Sequence, residues 1–150
     1  DAKLMFIGEG PGEDEDVQGR PFVGKAGQLL TSLITKMGLR REDVYIGNIV
    51  KCRPPMNRDP EEDEINTCIQ FIKRQVEIIS PKAIISLGRI SSQALTGIKM
   101  PIGRMRGHFY AFEDIPLMPT FHPSYLLRTG NPKDKWLVWE DVQKVLERLK

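Results

Sequence analysis

The segment Leu4-Met5-Phe6-Ile7-Gly8 indicates the fold class of this 150-residue chain. Four consecutive large apolar side chains ended by a glycine form the pattern of a short, buried strand. The segment that follows, from Gly8 to Gly24, is rich in glycine, proline and acidic residues and has no apolar period. We therefore expect a buried strand whose carboxyl end leads directly into a long loop.

Strands and amphipathic helices alternate along the rest of the chain. Apolar side chains spaced three or four residues apart predict helices over 25–37, 61–79, 89–95 and 136–149. Short apolar runs predict further strands at 44–50, 83–87, 109–112 and 117–120. This alternation predicts a three-layer α/β/α sandwich around a mostly parallel sheet. There is no internal repeat and no domain linker, so we expect a single domain over residues 1–150.

The composition is that of an ordinary globular protein. Hydrophobic residues make up 40% and charged residues 28%, which argues against disorder and against a coiled coil. Lys and Arg number 22 against 20 Asp and Glu, which gives a net charge of +2, but the charges are unevenly placed. The stretch 9–16 carries five acidic residues and no basic one, whereas 99–106 is basic. This balance excludes a protein that coats a polyanion and is compatible with a small contact area on nucleic acid.

The sequence also indicates where the chain works. No apolar run is long enough to cross a bilayer, and no signal peptide is visible, so we expect a cytoplasmic protein with no membrane partner. The chain starts at Asp1 and enters the first apolar run almost at once. We therefore expect that a short N-terminal segment is missing.

Three segments of unusual composition follow predicted strands: 8–24, 48–58 and 122–128. Ligand sites in open α/β sheets form in loops beyond the carboxyl ends of the strands. Nucleotide binding is a poor interpretation of the first segment, because Pro11 and Pro21 remove backbone amides that would bind phosphate. The match to a phosphate-binding loop at 19–26 also ends in Ala26, without the hydroxyl that holds Mg²⁺. These loops are therefore expected to form one cleft of another kind.

Together the three segments resemble the motifs of one known family. The residues 8–16 and 19–27 are similar to the first motif of the family 4, iron–sulfur uracil-DNA glycosylases, 48–55 to their second and 122–128 to their last. Order and spacing match along essentially the whole chain. The resemblance implies a central parallel sheet of four strands and an enzyme that flips uracil out of DNA and hydrolyses its N-glycosidic bond. It implies uracil-containing DNA as the partner, and we expect a monomer.

The resemblance assigns the recognition of uracil to the first two loops. Phe22 would stack on the flipped base, although an aromatic residue in a loop more often anchors that loop to the core. Asn48 would pair its planar amide with uracil O4 and N3–H, although asparagine is also a common turn former. Glu15 would narrow the pocket against the methyl group of thymine. Gly8 and Gly10 would line the pocket.

His122 is the candidate catalyst. A lone histidine is more often a structural hydrogen-bonding residue, but the resemblance places this one at uracil O2, where negative charge develops as the bond breaks. The better-known uracil glycosylases carry an aspartate just after the first strand, and the matching position here is Gly10. Either Glu9 or Glu15 assists from a neighbouring position, or the DNA phosphates and the leaving group stabilise the sugar cation.

The last motif is also expected to bind DNA. Tyr125, Leu126 and Leu127 would enter the duplex and fill the gap left by the flipped base, although a turn packed on the core would explain the leucines equally well. Arg128 would contact phosphate at the tip of this segment. Arg104 and Arg106 are expected to do the same from a nearby loop.

The chain contains two cysteines, Cys52 and Cys68. Alone, they would suggest only reduced thiols. The family 4 enzymes bind a [4Fe–4S] cluster through four cysteines, the last two at this spacing and the first two upstream of the first strand. The resemblance therefore implies a structural cluster beside the DNA-binding face, with two ligands absent from this sequence.

Two other functions stay open at this point. One is a non-catalytic nucleic-acid-binding or damage-sensing module on the same scaffold. The other is a glycosylase that prefers another deaminated base or a mismatch. A histidine donor and a buried amide favour the uracil glycosylase, because a simple binding module needs basic and aromatic residues but no group that stabilises an anion.

Overall fold

The computed structural model describes residues 2–9, 24–49 and 62–150. Its strands are β1 (Leu4–Gly8), β2 (Tyr45–Asn48), β3 (Ala83–Leu87), β4 (Tyr110–Phe112) and β5 (Ile115–Thr120). Its helices are α1 (Lys25–Lys36), α2 (Glu62–Ile79), α3 (Arg89–Thr96), α4 (Ile102–Met105), α5 (Pro123–Thr129) and α6 (Pro132–Leu149), and a 3₁₀ turn spans Arg41–Asp43. The alternation predicted from the sequence is confirmed.

The strands form one sheet in the order β2-β1-β3-β5-β4. The first four run parallel, and β4 pairs with β5 antiparallel. The expectation of a four-stranded sheet is therefore wrong: the sheet has five strands. The fifth strand joins because Glu113 and Asp114 both adopt positive φ angles, 51° and 64°, which form the tight turn that closes a two-residue hairpin.

The central position of β1 explains its unbroken apolar sequence. Leu4 and Phe6 face one side of the sheet and pack in a cluster with α1, α5 and α6. Met5 and Ile7 face the other side and pack with α2 and α3. All four side chains are at most 1% exposed. Helices therefore cover both faces, which confirms the three-layer architecture, and each such side chain contributes about 1.5–3 kcal/mol by leaving water.

Three helices differ from the prediction. Helix α4 (Ile102–Met105) lies in a segment that was expected to be a loop. Helix α6 begins at Pro132 and not near 136, because the Asn131 side chain accepts a hydrogen bond from the Lys133 amide at 2.9 Å and Pro132 occupies the first helical position. The segment 122–128, expected to be a loop, is largely the short helix α5. Gly130 ends α5 in the left-handed conformation. No helix in the part of the chain that the structure describes is long and apolar enough to cross a membrane.

Candidate active site

The carboxyl ends of the four parallel strands meet at one edge of the sheet. Gly8 pairs with Asn48 across β1 and β2, and Leu87 pairs with Thr120 across β3 and β5. Asn48 and the segment after Thr120 therefore lie at the same edge, three strand spacings or about 14 Å apart. The cleft expected from the sequence, formed by the loops that follow these strands, would open at this edge.

Asn48 is the last residue of β2, and only 6% of its surface is exposed. Its side-chain oxygen, Oδ1, is buried and has no hydrogen-bond partner among the described residues. A buried acceptor left unpaired typically costs about 1–3 kcal/mol. The acceptor can therefore take a hydrogen bond from a group that presents an N–H.

His122 lies between β5 and α5 and caps the helix. The backbone N–H of Ser124 donates to Nδ1 of the imidazole at 3.0 Å. Because Nδ1 acts as the acceptor, the neutral ring carries its proton on Nε2. The capping bond thus fixes both the orientation of the half-buried ring and the nitrogen that can donate.

Gly88, which the sequence analysis did not single out, supports His122 from the end of β3. Its φ angle is +91°, and a Cβ atom added there would lie 3.1 Å from the Cβ of His122. The Gly88 amide donates to the Thr120 carbonyl at 2.9 Å, which ties the ends of β3 and β5 together. A glycine directly after an apolar strand was the only signal in the sequence.

Arg106 occupies a different environment from the one expected. Its Nε donates to Oδ2 of Asp141 at 3.0 Å, and a second guanidinium nitrogen donates to Oδ1. The side chain is 17% exposed, and that of Asp141 is 0% exposed. The carboxylate raises the pKa of Arg106 above its ordinary value, so the ion pair stays charged. The guanidinium is held inside the protein and is not presented to phosphate.

Helix α5 divides the residues expected to bind DNA into two groups. Leu126 is 5% exposed and packs in the core, and Tyr125 stacks on Phe121 with ring centroids 4.8 Å apart. Leu127 is 45% exposed. Arg128 is exposed, with its guanidinium 5.8 Å from the Tyr125 ring centroid. Of the apolar residues, Leu127 is therefore the one available to contact DNA. Arg104, on α4, is exposed as well.

Several predicted site residues lie outside the described ranges: Gly10, Glu15, Phe22 and Cys52. Glu9 follows β1 directly and is half-buried, next to Gly8 at the carboxyl edge. Gly8 and Glu9 thus lie at the carboxyl edge, and their roles in a uracil pocket stay predictions.

Cys68 lies in the first half of α2 with a partly exposed free thiol. Across residues 2–9, 24–49 and 62–150 no three side chains of His, Cys, Asp or Glu are placed to hold a metal ion. A [4Fe–4S] cluster needs four thiolates. The described residues alone therefore do not form a cluster site, and the expected approach of Cys52 to Cys68 stays a prediction.

Comparison with known proteins matches the chain to one family. The family model described as "Uracil DNA glycosylase superfamily" matches residues 1–143. A type-4 uracil-DNA glycosylase of Saccharolobus solfataricus is 52% identical, with 99% of this chain and 72% of that protein aligned. One of Thermotoga maritima is 47% identical, with 100% and 79% aligned. A type-5 uracil-DNA glycosylase of Pyrobaculum aerophilum is 28% identical, with 98% and 70% aligned.

Proposed function

Because this chain belongs to the uracil-DNA glycosylase superfamily, and within it to the type-4 enzymes, we propose that it excises uracil from DNA. The reaction is hydrolysis of the N-glycosidic bond of a flipped uracil, which leaves an abasic site. One observation carries the proposal: a buried amide with an unpaired acceptor and a histidine with an assigned donor nitrogen lie at the same sheet edge. Either group alone would suit a binding module, whereas the pair suits catalysis.

Asn48 reads the base. Uracil presents an N3–H donor and an O4 acceptor side by side, and the unpaired Oδ1 of Asn48 accepts the N3–H while its NH₂ group donates to O4. Cytosine has an unprotonated N3 and an amino group at these positions, so with the amide oriented as it is for uracil both groups of Asn48 would be left unpaired. Since an unpaired buried polar group is costly, the site rejects cytosine without using any charge.

His122 stabilises the leaving group. Bond cleavage leaves negative charge on uracil, chiefly at O2, and the Nε2–H of a neutral imidazole can donate a hydrogen bond to that atom. The Ser124 amide favours this tautomer because it occupies Nδ1. The donor is therefore oriented before the substrate arrives, and its interaction strengthens as the charge develops.

The remaining roles in the pocket rest on the family resemblance. Phe22 stacks on the flipped base, Glu15 narrows the pocket against thymine, and the backbone of Gly8 and Gly10 lines it. For the sugar cation, assistance by Glu9 or Glu15 and stabilisation by the DNA phosphates stay alternatives, because Gly10 stands where other uracil glycosylases have an aspartate. Water completes the hydrolysis.

DNA binding is assigned to the exposed end of α5. Leu127, which is 45% exposed, fills the gap left by the base, and Arg128 contacts phosphate. Tyr125 and the buried Leu126 support these residues from below. Arg104 adds a phosphate contact from α4.

We further propose that Cys52 and Cys68 supply two thiolates of a [4Fe–4S] cluster, which serves a structural role beside the DNA-binding face. The other two ligands would be thiolates that this sequence does not contain. Intact protein purified without oxygen should be brown and contain four irons per chain, and Cys68→Ala should remove the colour. A colourless intact protein that supplies all four thiolates and is fully active would contradict the assignment.

The proposed function is tested by incubating the chain with an oligonucleotide that contains one uracil and then with alkali, which cleaves at an abasic site. We expect cleavage at the uracil and none in a control with thymine or cytosine at that position. Parallel assays on oligonucleotides with other deaminated bases show whether the enzyme prefers one of those bases to uracil. Tight binding to the uracil strand with no cleavage would overturn the proposal in favour of a damage-sensing module.

A further inference from the structure

A buried carboxylate stands directly behind the segment that carries His122. Asp141, on α6, is fully buried and accepts two hydrogen bonds from Arg106 and one from Thr120, whose Oγ1 lies 2.6 Å from Oδ2. Replacing a buried ion pair with apolar residues often leaves a protein equally stable or more stable. Stability alone is therefore a weak reason for this arrangement, and a requirement for accurate positioning is a better one.

Thr120 connects this carboxylate to the catalytic segment. It is the last residue of β5, and His122 follows two positions later. The Thr120 side chain donates to Asp141, while its carbonyl accepts the Gly88 amide. Gly88 in turn lies beside His122 with no room for a side chain between them. Both backbone segments that locate the imidazole are thus joined at Thr120.

The other side of the carboxylate is fixed as well. Gly107 has a φ angle of +84°, and a Cβ atom added there would lie 3.2 Å from Oδ1 of Asp141. Lys144, one helical turn after Asp141 on α6, donates to the Gly107 carbonyl at 3.0 Å. Asp141 is therefore fixed by its own helix and by the Arg106–Gly107 turn that packs against it, so the carboxylate has little freedom to follow a displaced Thr120.

We propose that Asp141 is a positioning residue for uracil excision, which acts through Thr120 to hold His122 at the place where negative charge develops. This inference rests on the proposed function. A donor to a developing charge must be placed accurately, since a misplacement of about 1 Å can lower a rate about 10²-fold. Asp141 touches no substrate: it fixes the strand end, and the strand end fixes the imidazole.

The test is a double-mutant cycle between Thr120→Val and His122→Ala, measured as single-turnover excision. Valine keeps the shape of threonine but cannot donate to Asp141. We expect Thr120→Val to slow excision about 10- to 100-fold in the wild-type background, with affinity for uracil-containing DNA unchanged. In the His122→Ala background the same change should slow excision less than about 3-fold, because the group that it positions is gone.

Ser86→Ala is the matched control. It also removes a buried hydroxyl from the sheet, but that hydroxyl pairs with Ser92 on α3 at 2.8 Å and not with Asp141. We expect it to leave the excision rate within about 3-fold in both backgrounds. Thr120→Val that slows both backgrounds equally, or neither, would overturn the proposal. Asp141→Asn is a second variant, expected to reproduce the same pattern.

A nuclear magnetic resonance measurement separates this inference from the proposed function. The two histidine rings, His108 and His122, are distinguished by loss of one set of signals in His122→Ala. Thr120→Val should shift the His122 ring signals and the Ser124 amide signal, whereas Ser86→Ala should not. If the wild type fails to excise uracil, the proposed function fails. The signal shifts still show whether Thr120 and Asp141 position the His122 ring. Unchanged His122 and Ser124 signals in Thr120→Val would overturn it.

Discussion

Single residues at the carboxyl edge act at different moments of the proposed reaction. In this proposal Asn48 contacts the base from the time it enters the pocket, because its partners, N3–H and O4, are present in the ground state. His122 meets a charge that exists only while the bond breaks. Interactions made in both states lower the free energy of binding, whereas those made only in the transition state raise the rate. This difference gives each residue a distinct kinetic signature.

The first prediction compares His122→Ala with Phe22→Ala. Loss of a donor to a developing anion typically lowers the rate about 10²–10³-fold, so His122→Ala should reduce the single-turnover rate by that factor with little change in affinity. Phe22→Ala removes stacking in both states, about 1–3 kcal/mol, and should mainly weaken binding. Rates and affinities come from rapid-mixing assays on a uracil oligonucleotide. A His122→Ala rate within a few-fold of wild type would make His122 a structural residue.

The second prediction concerns Asn48→Asp. An ionised carboxylate cannot donate to uracil O4, so uracil excision should slow markedly. The same carboxylate can accept a hydrogen bond from the amino group of cytosine, so some excision of cytosine should appear. Both are measured as cleavage after alkali, with duplicate oligonucleotides that differ only at the target base. Unchanged uracil excision would contradict the assigned role of Asn48.

At the scale of secondary structure, the β4–β5 turn holds non-glycine residues in a strained backbone conformation that glycine would relieve. Glu113 and Asp114 both have positive φ angles, and glycine is favoured at the second position of such a turn. Asp114→Gly should raise the free energy of unfolding by up to about 1 kcal/mol, or about 2–4 °C in Tm. Asp134→Gly, in the first turn of α6, is the control and should lower Tm, because glycine weakens a helix. A lower Tm for Asp114→Gly would contradict this account of the turn.

The helices and strands predicted best from the sequence are those whose buried positions form a regular pattern of apolar residues. Strand β1 is buried on both faces, so its residues form an unbroken apolar run, and α2 shows its inner face as a stripe. Helix α5 was not predicted because its seven residues make barely two turns, too few to show a helical repeat of apolar residues. Its N-cap, His122, is also not a usual capping residue. The start of α6 was missed because its first turn faces water and carries Lys133, Asp134 and Lys135.

The candidate site could be predicted only in part for a related reason. Asn48 and His122 follow apolar strands, so their place at one edge follows from parallel pairing. Asp141 gave no signal, because one acid on an amphipathic helix usually faces water. Its burial depends on Arg106, 35 positions away, which local patterns cannot reveal. Arg106 itself was assigned to DNA because a charge in a basic segment gives no sign of an internal partner.

For the molecule as a whole, the charge distribution leads to a prediction about salt. The net charge is only +2, so DNA binding should depend on a few phosphate contacts and fall moderately with ionic strength. Arg128→Gln should lower the slope of log affinity against log salt by about one. Arg40→Gln is the control, because Arg40 pairs with Asp43 just before β2, at the opposite edge of the sheet. Equal slopes for wild type and Arg128→Gln would remove Arg128 from the DNA interface.

The strand order also constrains how the protein is made on the ribosome. Strand β1 precedes the other described strands and pairs with both β2 and β3, so it lacks one of its two neighbours until residue 87 has been synthesised. Strand β5 joins still later, and Asp141, which holds its end, lies on α6, 21 residues further along the chain. At about 5–20 residues per second, β1 therefore waits several seconds with its strongly apolar side chains incompletely covered. We therefore expect the nascent chain to need chaperone protection during translation and to become competent for excision only after α6 leaves the ribosome.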